Sequence, residues 1–194
     1  ELWVDLLEFD NRPEFLNVGN GILDLRTGEL QPHNPEFRFT RVTDTNYIPD
    51  ATHPDWNQAL TAVPDDVRPW LQSRFGQAIT GYRPSDGIVP FLYGGGQNGK
   101  SAILDGLSAA LGEFSTPIPK DVLTTGGDQH PAKFMKLKGA RYAFIEELPE
   151  GDYVDAIRLK TLSDTEKINA RHMGQEWIEF ETTHSLFVTT NYDT

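Results

Sequence analysis

The chain contains no cysteine, which excludes a disulfide framework and thiolate metal sites and is compatible with a reducing, cytoplasmic setting. It has no apolar run of membrane-spanning length and no signal-peptide pattern, so no membrane partner is expected. Its histidines, His33, His53, His130, His172 and His184, form no H-E-x-x-H or similar ligand pair, which argues against zinc. Basic residues are scarce: 17 lysines and arginines stand against 29 acids, a formal net charge of −12. Such a balance leaves no broad basic face for wrapping nucleic acid. A ring-shaped motor, however, can grip a strand with one or two basic side chains per subunit. Internal repeats and low-complexity tracts are also absent.

Apolar residues make up 38% of the 194, enough to bury the core of one domain, or of one domain with a small appendage. Three zones follow one another. Residues 1–52 are β-rich, with 17–30 expected to form two short strands joined at 26–28. Residues 53–86 are helical. Trp56, Ala59, Leu60 and Val63 share one face, and after a restart at 64–66, Val67, Trp70, Leu71 and Phe75 share another. Residues 87–194 read as a nucleotide-binding core. The chain begins without methionine and stops just after a core strand, so it is expected to belong to something longer.

The most specific feature is the run Gly94, Gly95, Gly96, Gln97, Asn98, Gly99, Lys100 and Ser101, which fits G-x-x-x-x-G-K-[ST]. Before it, 88–93 is an apolar run expected to be a buried parallel strand. After it, 102–112 places Ile103, Leu104, Leu107 and Leu111 on one helical face. Strand, glycine loop and helix in that order form a phosphate-binding loop. Its N–H groups turn inward at a polyphosphate, and the helix N-terminus adds its positive dipole end. Lys100 is expected to bridge the β- and γ-phosphates, and the Ser101 hydroxyl to ligate Mg²⁺. The chain therefore reads as a binder of a nucleoside triphosphate.

A second strand, 140–145, ends in Glu146 and Glu147. Two acids after a strand are often solvated surface, but after a phosphate-binding loop they suit hydrolysis. One carboxylate holds the Mg²⁺ hydration shell and the other orients water; Glu146 is assigned to the metal and Glu147 to the water. A third strand, 185–190, ends in Asn191, a residue common at strand ends and placed here where a polar sensor would touch the γ-phosphate or the water. Between these strands, 153–162 is expected to be helical with Val154, Ile157 and Leu162 aligned. Residues 168–173 and 177–181 are expected to pair as a hairpin across Gly174 and Gln175. Strands alternating with helices imply a parallel sheet in a three-layer α/β core.

Together these motifs resemble the superfamily III helicases of phage and plasmid primase proteins, relatives of the poxvirus nucleoside triphosphatase–primase. The resemblance covers nearly the whole chain. Residues 20–33 resemble the family's leading β segment, 55–81 its helical subdomain, and 91–101 its phosphate-binding loop, which favours Asn at position 98. Residues 137–141 introduce the double-acid strand. Residues 159–171 resemble the motif peculiar to the superfamily, with Lys160, Ile168, Ala170 and Arg171 in place. Residues 187–191 resemble its sensor motif. Ser163, Asp164, Thr165 and Glu166 stand where the family has a Thr-Gly-Gly-Asp-like turn.

The resemblance implies a P-loop, AAA+-like fold and an ATP-dependent DNA helicase of phage or plasmid replication. Hydrolysis of ATP with Mg²⁺ would occur between subunits of a hexameric ring on single-stranded DNA, in the cytoplasm of a bacterial host, with a primase domain upstream in the parent chain. The hairpin would supply the DNA contacts, with Lys167, Arg171 and His172 as candidates. Alternatively Arg171 pairs with an acid such as Glu176 or Glu179, and His172 is plain surface. The family's arginine finger lies beyond the sensor strand, and such an arginine contributes about 10³ to 10⁵ in turnover. These residues alone are therefore expected to bind ATP but hydrolyse it slowly. Two other readings are a DNA-independent regulatory or assembly ATPase, and an interaction module in which 1–86 recruits a primase or origin protein.

Overall fold

The computed structural model describes residues 8–95, 98–127, 130–148 and 150–192. The chain opens with a three-stranded antiparallel sheet: β1 (Phe15–Val18), β2 (Gly21–Asp24) and β3 (Leu30–Gln31). Three strands form where two were expected. Val18 pairs with Gly21, so Gly19 and Asn20 make a two-residue hairpin loop inside what reads as one strand. The expected join at 26–28 does connect β2 to β3.

Two helices follow, α1 (Pro54–Leu60) and α2 (Arg68–Ile79). The His53 side chain caps α1 by accepting from the Asp55 amide, and Pro54 starts the first turn, where its missing N–H costs nothing. Leu71, Phe75 and Ala78 of α2 are buried, but Val67 and Trp70, expected on the same inward face, are exposed. The helical period places them near Leu71, yet among the described residues no element of the core reaches over them.

The central sheet contains β4 (Phe91–Tyr93), β5 (Ser115–Pro117), β6 (Tyr142–Leu148) and β9 (Ser185–Thr190), in the order β4-β9-β6-β5 and parallel throughout. β4 is not the buried strand that its composition suggests. It lies at the edge, is only three residues long, and leaves Phe91 and Tyr93 exposed. Pro90 has no N–H to extend the ladder, although its carbonyl accepts from the Val188 amide at 3.0 Å. β9 runs over 185–190 as expected and is buried at every residue, as a strand covered on both faces should be.

The period-two alternation of β6 and β9 builds two cores. Tyr142, Phe144 and Phe187 pack with Ile103, Leu104 and Leu107 of α3 (Lys100–Leu111), with α2, and with the first sheet. Ala143, Ile145, Leu186 and Val188 face the other way, onto Leu123, Leu137 and Leu162. Gly106 lets α1 approach α3, since a Cβ there would lie 2.8 Å from the Trp56 ring. Two further helices are α4 (Pro131–Phe134) and α5 (Ala156–Asp164), the latter capped by the Asp155 carboxylate accepting from the Ile157 and Arg158 amides at 3.0 and 3.2 Å. Of the residues expected to align on α5, Leu162 is buried but Ile157 is exposed. The hairpin forms as β7 (Lys167–Ala170) and β8 (Ile178–Glu181), with Ala170 opposite Ile178 and a longer connection than a tight turn. Arg83 donates to the Asp164 carbonyl at 3.0 Å and the Thr182 hydroxyl to the Thr165 carbonyl at 2.6 Å, which holds the glycine-free turn at 163–166.

Arg141 joins these parts. Its side chain is buried and carries no carboxylate partner among the described residues. It donates to the Ile79 carbonyl at the end of α2 (2.9 Å) and to the Phe15 carbonyl of β1 (2.6 Å), over the Phe114 ring. Burial pulls its pKa down to about 10, against the opposing pull of Asp10 and Glu14, so it stays charged at neutral pH. Among the described residues, no helix is long and apolar enough to cross a membrane.

Candidate active site

The C-terminal ends of β4, β9 and β6 lie side by side, the place where an open parallel sheet leaves a crevice. A cavity of about 270 Å³ opens there, walled by Asn98, Gly99, Lys100, Ser101, Glu147, Asn191 and their neighbours. Of the expected nucleotide-binding residues, Gly96 and Gln97 lie outside the described residues. Gly99 begins α3 in the left-handed region, with φ of 84°. Gly94 is held by a close approach, since a Cβ there would lie 2.3 Å from the Asn98 amide nitrogen.

Lys100 ties the loop to the central strand. Its ammonium donates to the carbonyls of Gly94 and Gly95, to Asn98 Oδ1 at 2.9 Å and to Asn191 Oδ1 at 2.9 Å. A residue 91 positions further along the chain thus meets the glycine loop through one side chain. This contact exists because β9 lies between the strand leading into the loop and the strand carrying the acids.

The two glutamates part company. Glu147 lines the cavity, whereas Glu146 is not among its walls. Alternation from Tyr142 and Phe144 carries Glu146 toward the α3 side of the sheet. Its charge reaches Tyr142, whose phenol is pushed far up first by burial and then by Asp105 and Glu146. The pairing of β6 with β9 shifts register between Ile145 and Leu148, so the strand runs on past the acids through a bulge. Glu147 sits in that bulge with φ of 49°, a conformation a non-glycine residue rarely adopts. Its amide leaves the backbone ladder and donates to Thr189 Oγ1 at 3.1 Å. Sequence reasoning missed Thr189, whose only signal is a hydroxyl two residues before Asn191.

Among the described residues, no three histidine or acidic side chains gather as a metal site. Ser101 and Glu147 nevertheless place two hard oxygen donors in one cavity, and a second acid, Glu146, lies on the α3 side of the same strand. That set fits Mg²⁺, which takes one or two carboxylates and completes its shell with water and phosphate oxygens.

The hairpin lies apart from this cavity. Lys167 is paired with Glu179 at 2.8 Å, which raises its pKa. Arg171 instead lies over the exposed Trp177 ring, 4.8 Å from its centroid, and His172 is exposed beside it. Met173 and Trp177 are exposed at the same tip.

A family model described as a family of unknown function (DUF5906) matches residues 92–194, more than half of the chain. The chain belongs to that family. A second model, described as D5 N terminal like, matches residues 2–63. The candidate primase C962R of African swine fever virus (isolate Warthog/Namibia/Wart80/1980) is 27% identical over 195 residues, covering 95% of this chain and 20% of that protein. The candidate helicase L207/L206 of Acanthamoeba polyphaga mimivirus is 24% identical, covering 96% and 20%. The uncoating factor OPG117 of Vaccinia virus (strain Western Reserve) is 25% identical over 170 residues, covering 77% and 21%. The chain thus spans about a fifth of the length of the curated relatives it matches, which include viral proteins named as primase and as helicase. In fold it is similar to the A form apo structure of the NrS-1 C terminal region, with a TM-score of 0.61 over 95% of this chain and 41% of that one at 15% identity.

Proposed function

We propose that this chain is the ATPase motor of a superfamily III, phage- or plasmid-type primase–helicase, built on a P-loop core of the AAA+ kind. The observation that carries the reading is the Lys100–Asn191 contact across one cavity that also holds Ser101 and Glu147. It joins a phosphate-binding loop, an acid and a polar strand tip, the three groups that in-line hydrolysis of a γ-phosphate requires.

In this reading the loop amides and Lys100 bind the triphosphate. Lys100 exchanges part of its set of carbonyl and amide acceptors for phosphate oxygens, which frees Asn191 to reach the γ-phosphate or the water. Ser101 and Glu146, on the α3 side of β6, would hold Mg²⁺, which when bound offsets the charge on the phosphates. Glu147, projected into the cavity by its bulge, orients the attacking water and takes up its proton. The β7–β8 hairpin follows single-stranded DNA in a hexameric ring, with Arg171 and His172 reaching phosphates and Lys167 held partly in reserve by Glu179. A second reading, a regulatory or assembly ATPase indifferent to DNA, draws on that neutralised Lys167 and on the net charge of −12.

The test is ATP turnover by the full-length protein, wild type and Lys100→Ala, with and without single-stranded DNA. Turnover that rises with DNA and vanishes in the variant supports the motor. Lys100-dependent turnover that ignores DNA moves the assignment to the regulator. Turnover unaffected by Lys100→Ala refutes both.

A further inference from the structure

Beside the nucleotide cavity lies a second one of about 180 Å³, with Asn98 and Lys100 in the walls of both. Its remaining surface is apolar and is drawn from the helical segment and the edge strand: Val63, Val67, Trp70, Pro90 and Tyr93 among others. Two of its aromatic rings are unusually open for the wall of a folded cavity, Trp70 at 44% and Tyr93 at 64% exposed. These are the residues whose exposure ran against their expected place in the core. The Arg74 guanidinium covers one face of Trp70, 5.5 Å from the ring centroid, and is itself held by Asp86. The indole is therefore held from one face by Arg74 while Trp70 as a whole stays open to solvent.

We infer that this second cavity takes the base of the nucleotide, and that it selects purine nucleoside triphosphates as a class without separating adenine from guanine. The inference rests on the phosphate-binding reading of residues 94–101. A nucleotide whose β- and γ-phosphates lie against Lys100 has its base one α-phosphate and one sugar away from the shared Asn98–Lys100 wall. A flat apolar ring placed there meets an indole, a phenol and aliphatic side chains, the contacts on which bases stack irrespective of identity. Apart from the shared Asn98 and Lys100, polar side-chain atoms in the lining come only from the tips of those two aromatic rings, too few side-chain groups to read a base edge. The larger purine gains more from such a surface than a pyrimidine does. Residues 54–79, which contribute nothing to phosphate binding, acquire a role in this way.

The test is calorimetric titration of the full-length protein with ATP, GTP, CTP and inorganic tripolyphosphate, each with Mg²⁺. Wild type, Trp70→Ala, Tyr93→Ala and Lys100→Ala are compared. Wild type should bind ATP and GTP alike and CTP more weakly. Trp70→Ala and Tyr93→Ala should each weaken ATP and GTP about tenfold and leave tripolyphosphate unchanged, which also certifies that the loop is intact. Lys100→Ala should weaken all four. The inference is overturned if ATP and tripolyphosphate change together in both aromatic variants, or if wild type distinguishes ATP sharply from GTP. Failure of wild type to bind tripolyphosphate or any nucleotide would instead overturn the phosphate-binding reading on which it stands.

Discussion

Glu147 offers a test in which stability and turnover should move in opposite directions. Its backbone is held at φ 49° by the bulge between Ile145 and Leu148, and its side chain is exposed. The left-handed region costs a residue with a Cβ about 1–2 kcal/mol. Glycine removes that cost but loses about 0.4–1 kcal/mol through the greater freedom of its unfolded chain. The amide bond to Thr189 Oγ1 survives the change, because it is made by the backbone. Glu147→Gly should therefore be more stable by roughly 0.5–1 kcal/mol, a rise in melting temperature of about 1–4 °C for a chain of this size. Glu147→Gln keeps the strain and the shape, and as an exposed substitution should lie within about 0.5 kcal/mol of wild type. Both variants lose the water-orienting carboxylate, and turnover should fall by about 10² to 10⁴ in each. Thermal melting beside an ATPase assay on the same preparations decides the matter. A glycine variant that melts at or below wild type refutes the strain argument. Unchanged turnover in Glu147→Gln refutes the role given to the carboxylate.

His184 should set the acid limb of the stability profile. It is fully buried, its Nε2 donates to the Leu162 carbonyl at 2.9 Å, and Nδ1 has no partner among the described residues. Burial lowers its pKa from 6.5 to about 4, with the Leu162 bond opposing weakly, so protonation would strand an N–H in the core. The unfolded chain takes up this proton first as pH falls. Its contribution to stability is complete above pH 6.5 and is lost progressively toward pH 4, at up to about 1.4 kcal/mol per pH unit. Urea midpoints measured between pH 7 and pH 4.5 should drop less steeply in His184→Gln; an equal slope refutes the assignment. Arg141→Met should leave the Phe15 and Ile79 carbonyls without their donor and cost about 3 kcal/mol. Hydrogen exchange should then quicken at 15–24 well before it quickens at 185–190, and uniform acceleration would count against Arg141 as the link between the first sheet and the core.

Much of the architecture is legible in local pattern. The run 185–190 carries three consecutive apolar residues, Leu186, Phe187 and Val188, whose side chains alternate between the two faces of a strand, so both faces want cover. The 102–112 periodicity is likewise read directly, because Ile103, Leu104, Leu107 and Leu111 recur at helical spacing and all four are buried. The hairpin around Gly174 follows from two short β-prone runs separated by turn residues. The misses have a common cause. Gly19 and Asn20 break a strand at a dipeptide that reads as part of the run. β5 (Ser115–Pro117) has no apolar alternation, being a three-residue edge strand recruited by β6. Val67, Trp70, Phe91 and Tyr93 are apolar, and pattern alone sends apolar residues inward. Whether anything covers them depends on elements distant in sequence.

The sequence by itself determined the chemistry on offer: a glycine loop ending in Lys100 and Ser101, two acids closing one strand, an asparagine closing another, and no thiol anywhere. These are properties of residue type and short spacing, and they are settled before the chain folds. Tertiary structure alone decided which of these groups meet. Placing β9 between β4 and β6 carries Asn191 to Lys100, and the bulge in β6 turns Glu147, not Glu146, into the cavity. Strand order and bulges are chosen by the packing of whole faces, Tyr142, Phe144 and Phe187 on one side and Ile145 and Val188 on the other. No window of neighbouring residues contains that choice, because the surfaces that compete for burial come from opposite ends of the chain.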